Sequence, residues 1–420
     1  MKWRRIAAAV LLLQGVWASL AWSALQISPQ FSLRQEYNDN IFLERDKEED
    51  FITFVRPSFQ LLWETRLFDL DLDLGVEYEK YARNSDEDDL RPSQGSRLES
   101  LFNVYRDIAF LRISDTYERV PIDEGEKGAV GNNLVNLTDS NRLEINPYLQ
   151  FEPLSSLQVR FDYLYLNQWY SEEEGDDADT HRYSLTLTQQ LGGRLAADLS
   201  GSYSRYRPRD ARNALSSPLV ETLGEEAYDR RDLQLGFSWQ LTDRLFARVF
   251  GGRSWLDYDF TSDYAANLYG AQLDYELSRT LTCGLSYRED VSASVEEGAR
   301  QRREEALYLS YSDRARWMLQ LFRHRDDYLE LNRRDDAIGV SFSGDVPLTL
   351  KQGVTWQLEL TDYEEGDLET YLRYGARLEL YHQLRLGRLS LGYTFNRNDS
   401  DLREQDYDNN IAYLQLALRW

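Results

Sequence analysis

The sequence contains little of what disulfide-stabilised, metal-dependent and nucleic-acid-binding proteins are built from. It has one cysteine, Cys283, which excludes a disulfide framework and a thiolate zinc site. Nine prolines and 24 glycines are too few for a collagenous or low-complexity chain. Acidic residues outnumber basic ones by 72 to 48, and the net charge of -24 argues against binding to nucleic acid. We therefore expect no metal, no cofactor and no nucleic-acid partner.

Long apolar runs are also missing, except at the beginning of the chain. Lys2, Arg4 and Arg5 precede an apolar run over residues 6–22, which is followed by small residues. This pattern predicts a secretory signal peptide over residues 1–24, leaving residues 25–420 as one exported domain. The alternative is an uncleaved membrane anchor, which is disfavoured because the run is short and contains Gln14.

What the sequence does contain is a repeated alternation of apolar and polar residues. From Phe68 to Glu79 the even positions are apolar or aromatic, whereas the odd positions are acidic apart from Gly75. Such a period of two is typical of a strand with one apolar and one polar face. The pattern returns many times, and short turns, such as those predicted at 64–66 and 345–347, alternate with longer polar loops, such as 120–140 and 207–230. The alternation predicts about 20 strands, with 18 also acceptable.

An even number of strands, short turns at one end and long loops at the other are typical of a transmembrane barrel. We predict an all-β protein, folded as a closed antiparallel barrel that crosses the outer membrane of a Gram-negative bacterium. The hydrocarbon core of a bilayer contains no water that could bond to the free backbone groups of an edge strand, so such a sheet has to close on itself. The short turns would face the periplasm, and the long acidic loops the exterior. The alternative is a soluble all-β protein, such as a propeller or tandem sandwiches.

Two further features of the apolar faces support the barrel. Leu414, Leu416, Leu418 and Trp420 alternate back from the terminal aromatic residue, which resembles the C-terminal insertion signal of outer-membrane barrels. Aromatic residues lie near both ends of the predicted strands, where they would form interfacial girdles, although bulky aromatics also suit strands in general. The members considered are Trp63, Trp239, Trp317 and Trp420 near short turns, and Tyr117, Trp169, Tyr183 and Trp255 near long loops.

The polar faces of the strands identify candidate lumen residues. An acidic ladder on one strand is expected to face arginines on its neighbours, with Arg56 opposite Asp73 or Gly75. The predicted lumen-lining charges are Arg56, Asp69, Asp71, Asp73, Glu77, Glu79, Arg97, Arg112, Arg248, Arg288, Lys351, Arg373 and Arg377. Serines, tyrosines and residues such as Thr394 and Asn396 add neutral hydrogen-bonding groups. Such a lining suits a sugar chain, but any water-filled lumen would also be polar, and both interpretations stay open.

The sequence gives little support for catalysis. The residues two positions after His181, His324 and His382 are Tyr183, Asp326 and Leu384, so the His-Ser arrangement of phospholipase-type barrels is absent. His324 and Asp326 share a strand face, which is similar to the His-Asp pair of omptin-type proteases. The opposing acidic pair that those proteases need is not at the same level. We predict that the protein is not an enzyme, with an envelope hydrolase as the weakest alternative.

One short motif resembles a known family. Tyr37, Asn38, Asp39, Asn40, Ile41 and Phe42 follow the first predicted strand and are similar to the signature of a family of β-barrel porins in Gram-negative bacteria. That family is associated with exopolysaccharide and exosortase gene clusters. Asn and Asp also suit a strand-to-loop transition because they tolerate tight turns.

The resemblance implies a porin-like conduit that exports an extracellular polysaccharide. Its expected partners are outer-membrane lipids and lipopolysaccharide, the barrel insertion machinery and periplasmic polysaccharide-export components. A general diffusion porin and a structural barrel that scaffolds an envelope complex are the alternatives.

Overall fold

The computed structural model describes residues 25–122, 128–172, 177–209, 227–259, 262–293, 299–329, 333–366 and 368–420. The predicted signal peptide and part of loop 207–230 lie outside these residues. Apart from a 3-10 turn at Ser85–Glu87, the regular elements described are strands, and no described helix is long and apolar enough to cross a membrane. The strands are β1 (Leu25–Asn38), β2 (Asp50–Glu64), β3 (Phe68–Tyr81), β4 (Asp89–Pro92), β5 (Arg97–Tyr105), β6 (Ala109–Pro121), β7 (Leu137–Leu154), β8 (Leu157–Tyr170), β9 (Ala178–Gln190), β10 (Leu195–Pro208), β11 (Tyr228–Thr242), β12 (Leu245–Tyr258), β13 (Tyr264–Glu276), β14 (Leu281–Ala293), β15 (Ala299–Ser312), β16 (Arg316–Tyr328), β17 (Arg333–Pro347), β18 (Gln352–Glu365), β19 (Glu369–Leu384), β20 (Gly387–Ser400) and β21 (Tyr407–Arg419).

The strands form one closed antiparallel sheet. Each strand pairs with the next along the chain, except that β4 and β5 each pair with β3 and not with one another, and β1 also pairs with β21, from Gln30 opposite Arg419 to Asn38 opposite Ile411. We call this β1–β21 junction the seam. Because β4 and β5 both pair with β3, they share one position in the wall, and the barrel has 20 positions. The prediction of a closed barrel of about 20 strands is confirmed.

The alternation in the sequence becomes two different faces of the wall. On β3, Glu77 is 2% exposed and Glu79 is fully buried, whereas Val76 and Tyr78 are 45% and 39% exposed. The cross-strand register carries this parity round the barrel, so over most of the wall polar side chains point inward and apolar ones outward; Ile52 and Phe54 on β2 are buried apolar exceptions. The side chains that an ordinary protein would bury therefore form the outer surface.

The interruption between β4 and β5 changes how the next hairpin is placed. Residues 93–96 bulge out of the ladder, with Gly95 at a φ of 80°. The peptide N–H of Gly95 and the carbonyl of Ser96 bond to the backbone of Tyr117 on β6. Tyr117 has outward parity, yet it is 9% exposed and lines an interior cavity with Arg119. The C-terminal part of β6, around Tyr117 and Arg119, therefore leans into the barrel, and Tyr117 is not part of an outer aromatic girdle.

The connections follow the predicted asymmetry, with one correction. By the bounds of the described strands, nine turns of two to four residues lie at one end of the barrel, the short-turn end, and the other connections lie at the opposite end, the long-loop end. Two of those other connections are also short, with four residues between β16 and β17 and three between β18 and β19. The turn expected at 345–347 lies instead at 348–351, because Asp345 and Pro347 still pair with β18. The Thr349 hydroxyl accepts the N–H groups of Lys351 and of Gln352, the first residue of β18, which stabilises the chain reversal there. Lys351 consequently lies exposed in a turn, and its assignment to the lumen wall was wrong.

Candidate functional site

The other predicted lumen residues lie on inward-facing positions, but in different parts of the barrel. Asp69, Asp71 and Asp73 form a row near the short-turn end, with Arg97 bonded to Asp71 at 3.2 Å. Arg112 and Arg248 also lie near that end, on β6 and β12. The remaining members lie nearer the long loops or line cavities: Arg56, Glu77, Glu79, Arg288, Arg373 and Arg377.

The register of one predicted pair differs from the expectation. Arg56 does not face Asp73 or Gly75; it forms an ion pair with Glu77. The pairing of β2 with β3 places Ser58 opposite Gly75, so Arg56 falls at the level of Glu77. The reason is that the connecting turn, Thr65 to Leu67, is centred later in the chain than the sequence suggested.

A cavity of about 1170 Å³ occupies the half of the lumen enclosed by β6 to β16. We call it the main cavity. Short hydroxyl side chains form much of its wall, because β9 and β10 direct Ser184, Ser200, Ser202 and Ser204 inward. The charged groups in its lining are Glu118, Arg142, Arg182, Arg230, Asp232, Arg288, Asp290 and Arg300.

The opposite half of the lumen is occupied by part of a loop. Residues 128–136, which we call the inner loop, lie between β6 and β7 and cross to the far wall. The Val130 N–H donates to Asn396 Oδ1 at 3.0 Å, and Asn396 Nδ2 donates to the Val130 carbonyl at 3.0 Å. Tyr407 also donates to the Gly128 carbonyl. The described part of the loop predicted at 120–140 therefore narrows the lumen.

Glycine is required where the inner loop meets the wall. Gly131 has a φ of 84°, and a Cβ there would lie 3.4 Å from Ile411 Cδ1. Only glycine adopts this conformation without a steric penalty. The loop can therefore lie close against β21.

The Tyr-Asn-Asp-Asn-Ile-Phe motif holds the seam and the inner loop together. Asn40 N–H donates to Asn38 Oδ1 at 2.9 Å, which is the local turn expected of asparagine. Asn409 Nδ2 donates to Asn38 Oδ1 and to the Asn40 carbonyl, at 2.5 and 3.0 Å. Asn396 Nδ2 then donates to Asn409 Oδ1 at 3.1 Å. A buried amide chain thus runs from the motif across β21 and β20 to the inner loop.

The rest of the motif also makes defined contacts. Asp39 accepts the Asn410 N–H at 2.6 Å and bonds to Lys47 at 2.9 Å, so it joins the loop after β1 to β21. Ile41 packs in a buried apolar cluster with Ile52, Phe54 and Tyr81, and Phe42 and Leu134 pack against it. Since Leu134 belongs to the inner loop, the motif fixes that loop by apolar contact as well as by hydrogen bonds.

A dense group of ion pairs lies beneath the inner loop. Arg91, 8% exposed, bonds to Glu77 at 2.8 Å, to Glu79 and to Asp89 at 2.6 Å. Arg34 pairs with Glu36 and lies 3.9 Å from the ring centroid of Tyr413. Arg34, Arg91 and Tyr413 line a cavity of about 450 Å³, together with Arg56 and Arg377. Desolvated charges of this kind are tolerated because each has a partner.

The candidate catalytic pair has a different role in the structure. Asp326 accepts from Arg302 Nε at 2.8 Å and Nη2 at 2.6 Å, and from Arg300 at 3.1 Å. The ion pairs with these two arginines account for the inward position of Asp326 without a catalytic role. The geometry therefore gives no support to a hydrolase centred on His324 and Asp326.

Sequence reasoning missed two groups that organise the lumen. Arg91 is not among the predicted lumen residues, because its strand is only four residues long and ends at Pro92, so it shows no alternation. Asn409 was not singled out, although it shares inward parity with Asn396. An inward asparagine on each of the last two strands, close to the loops, is the signal that could have identified the amide chain.

Together the closed sheet and polar lumen define a β-barrel of the kind found in outer membranes. The siderophore receptor PirA from Pseudomonas aeruginosa is 11% identical with a TM-score of 0.52, covering 94% of this chain and 80% of that one. The FrpB iron transporter from Neisseria meningitidis is 8% identical with a TM-score of 0.51, covering 94% and 81%. P. aeruginosa OccK11 (OpdR) is 12% identical with a TM-score of 0.43, covering 94% and 96%. The first two similarities show a shared barrel fold. No family model and no curated protein matches the sequence.

Proposed function

We propose that this protein is a channel in the outer membrane of a Gram-negative bacterium. The support is the outer surface of the closed sheet, where residues such as Leu199, Leu235 and Leu285 are 43–54% exposed. An apolar belt on a barrel with a polar interior suits lipid contact. In this arrangement the short turns face the periplasm and the acidic loops face the exterior, next to lipopolysaccharide.

The cargo we propose is an extracellular polysaccharide leaving the cell. The observation that carries this proposal is the main cavity, whose wall combines serine hydroxyls with arginines on a scale of about 1170 Å³. Serine hydroxyls donate and accept hydrogen bonds and guanidinium groups donate them, so both can bond to the hydroxyl groups of a sugar chain. The motif resemblance points to the same cargo, and it implies periplasmic export components as partners.

Single-channel recording in a planar lipid bilayer tests this proposal. The expected result is a steady ionic current that is interrupted when oligosaccharides enter from the side of the short turns. Large, unselective openings that no oligosaccharide interrupts would instead favour a general diffusion porin. A silent barrel that nevertheless inserts into the bilayer would favour a structural scaffold.

The second candidate, a general diffusion porin, has one observation in its favour. The described contacts of the inner loop with the far wall are made to β19, β20 and β21, and the main cavity lies on the other side of the lumen. A loop placed in this way narrows a lumen without sealing it. Narrowing of this kind suits small solutes as well as a single sugar chain, so the oligosaccharide arm of the recording decides between them.

A further inference from the structure

One arginine of the main cavity differs from its neighbours in how its charge is balanced. Arg182 on β9 and Arg230 on β11 both lie opposite Ser204 on β10, so the three form one inward row. Arg230 bonds to Asp232 at 2.8 Å, to Asp290 at 3.1 Å and to the Val291 carbonyl at 2.7 Å. Its hydrogen-bonding capacity is therefore largely used within the protein.

Arg182 has no such partners. Among the described residues, no carboxylate lies within ion-pair distance of its guanidinium group, and the side chain is exposed to the cavity. Asp232 and Asp290 are close enough to contribute to its electrostatic environment, but both are bonded to Arg230. An arginine beside a second arginine, whose nearby acids are already bound, offers its five donors to whatever enters the cavity.

The surroundings of Arg182 indicate the chemistry of that occupant. Ser184 is the next inward residue on β9, and Ser202 and Ser204 lie on the adjacent strand. Glu118, the carboxylate of this lining without an ion pair among the described residues, lies three strands away on β6. The ligand suited to this environment carries an anionic group for the guanidinium and hydroxyls for the serines.

We propose that Arg182, together with Ser184, Ser202 and Ser204, forms a binding site for an anionic sugar unit. The assignment rests on the proposed function and narrows it: the exported polysaccharide is acidic. The guanidinium forms a charge-assisted pair with the carboxylate of one sugar, and Ser184 and Ser204 bond to its ring hydroxyls. The Ser202 hydroxyl donates to Asp232 at 3.1 Å, so it takes part as an acceptor. For the polysaccharide to move through the barrel, the ion pair between Arg182 and each sugar carboxylate must be weak enough to be exchanged for the next one.

Binding to the detergent-purified full chain tests the site without requiring conductance. The probes are oligogalacturonate, which is anionic, and maltohexaose, which is neutral, and the measurement is isothermal titration calorimetry. We expect the wild type to prefer oligogalacturonate and Arg182→Gln to bind it about 10-fold more weakly or worse, the size of a hydrogen bond to a charged group. Binding of maltohexaose should not change.

Matched controls separate this site from general electrostatics. Arg248→Gln removes an inward arginine that also has no ion pair among the described residues, but it lies outside the main cavity near the short-turn end. It should leave both affinities unchanged, and Glu118→Gln should not weaken oligogalacturonate binding. If Arg182→Gln does not fold, Arg182→Lys retains the charge without the planar fork and should show an intermediate affinity.

The proposal is overturned if the wild type binds neither probe, or binds both equally. It is also overturned if Arg182→Gln matches the wild type, or if Arg248→Gln loses as much affinity. A channel that conducts in a bilayer but shows one of these results remains a channel, with a cargo that is not acidic. A barrel that binds oligogalacturonate but does not conduct keeps the site and loses the proposed transport.

Discussion

The two halves of the lumen share the same strand alternation, but one half is open and the other is filled. Around the main cavity, inward positions on β9 and β10 carry short hydroxyl side chains, and space remains between them. Near the seam, inward positions carry arginines, glutamates and asparagines that bond to one another beneath the inner loop. Polar parity alone therefore does not make an open lumen. The size of the inward side chains and the partners they find decide which half is filled.

The difference in burial predicts a difference in energetics. In the filled half, Glu36 and Glu79 are 1% and 0% exposed, so loss of a partner leaves a charge without water. In the open half, the side chain of Arg288 is 61% exposed and water can replace its partner. Removing one member of a buried pair is costly, whereas removing one member of a solvated pair costs little.

The largest effect is expected for Arg91→Met. This change leaves Glu79 with Tyr81, at 3.2 Å, as its remaining described hydrogen-bond partner, and removes one of the two arginines from Glu77. We expect the free energy of unfolding to fall by about 3–5 kcal/mol, since an unpaired buried charge is left behind. Urea titration of the barrel in lipid vesicles measures this loss.

Arg288→Met is the matched control in the open half. It removes an arginine from Asp290, which keeps Arg230 at 3.1 Å. We expect a loss of about 0–1 kcal/mol. The double variant Arg91→Met/Glu79→Gln should recover part of the stability lost by Arg91→Met. Equal losses for the two single variants would show that the filled half is not energetically distinct.

A smaller effect is expected where the inner loop meets the wall. Asn396→Val removes both hydrogen bonds to the Val130 backbone, and leaving buried groups unsatisfied costs about 1–3 kcal/mol. The population with the loop displaced should rise by roughly 5- to 150-fold. Two measurements check this: faster hydrogen exchange over residues 128–136, and higher mean conductance in a bilayer.

Thr394→Val on the same strand is the control for Asn396→Val. Thr394 is also buried and faces inward, but its hydroxyl has no hydrogen-bond partner among the described residues. Its replacement should alter neither loop exchange nor conductance. If both variants behave alike, the inner loop is held by its apolar contacts rather than by the amide of Asn396.

Much of the barrel could be predicted from the sequence because strand alternation is local. The two faces of the strand from Phe68 to Glu79 can be assigned from that segment alone, without knowing its neighbours. The turn at 348–351 was placed too early, since Pro347 suggested a break although it still pairs with Gly353. The lean of β6 could not be anticipated, because it depends on a bulge in another strand.

The candidate site was harder to predict, for reasons of distance along the chain. Asn396 and Val130 are 266 residues apart, and Asn409 and Asn38 are 371 apart. Closure of the sheet brings these residues together, and a hydrogen bond between two amides leaves no periodic signal in the sequence. The motif was recognised, but the contacts that explain it became visible only with the register of β1 against β21.

The smallest effect is expected at the surface of the seam, where Asp39 joins the first loop to β21. Burial by itself raises the pKa of Asp39. The hydrogen bonds from the Asn410 backbone and side-chain amide and from the Lys47 ammonium lower the pKa by more than burial raises it, so the pKa lies below its ordinary value. A carboxyl with a lowered folded-state pKa stabilises the fold above its unfolded pKa, about 3.9, and this contribution is lost as the pH falls through the lower folded value.

Asp39→Asn should therefore lower the free energy of unfolding by up to about 1 kcal/mol at pH 7, and by progressively less below about pH 4. The measurement is the difference in free energy of unfolding between wild type and variant across that range, in which the other carboxyls cancel. Lys47→Met removes an ion-pair partner from both Asp39 and Asp408, so its cost should also fall at low pH as the two carboxylates are protonated. A difference that stays constant down to the lowest pH would mean that Asp39 does not hold the seam through its charge.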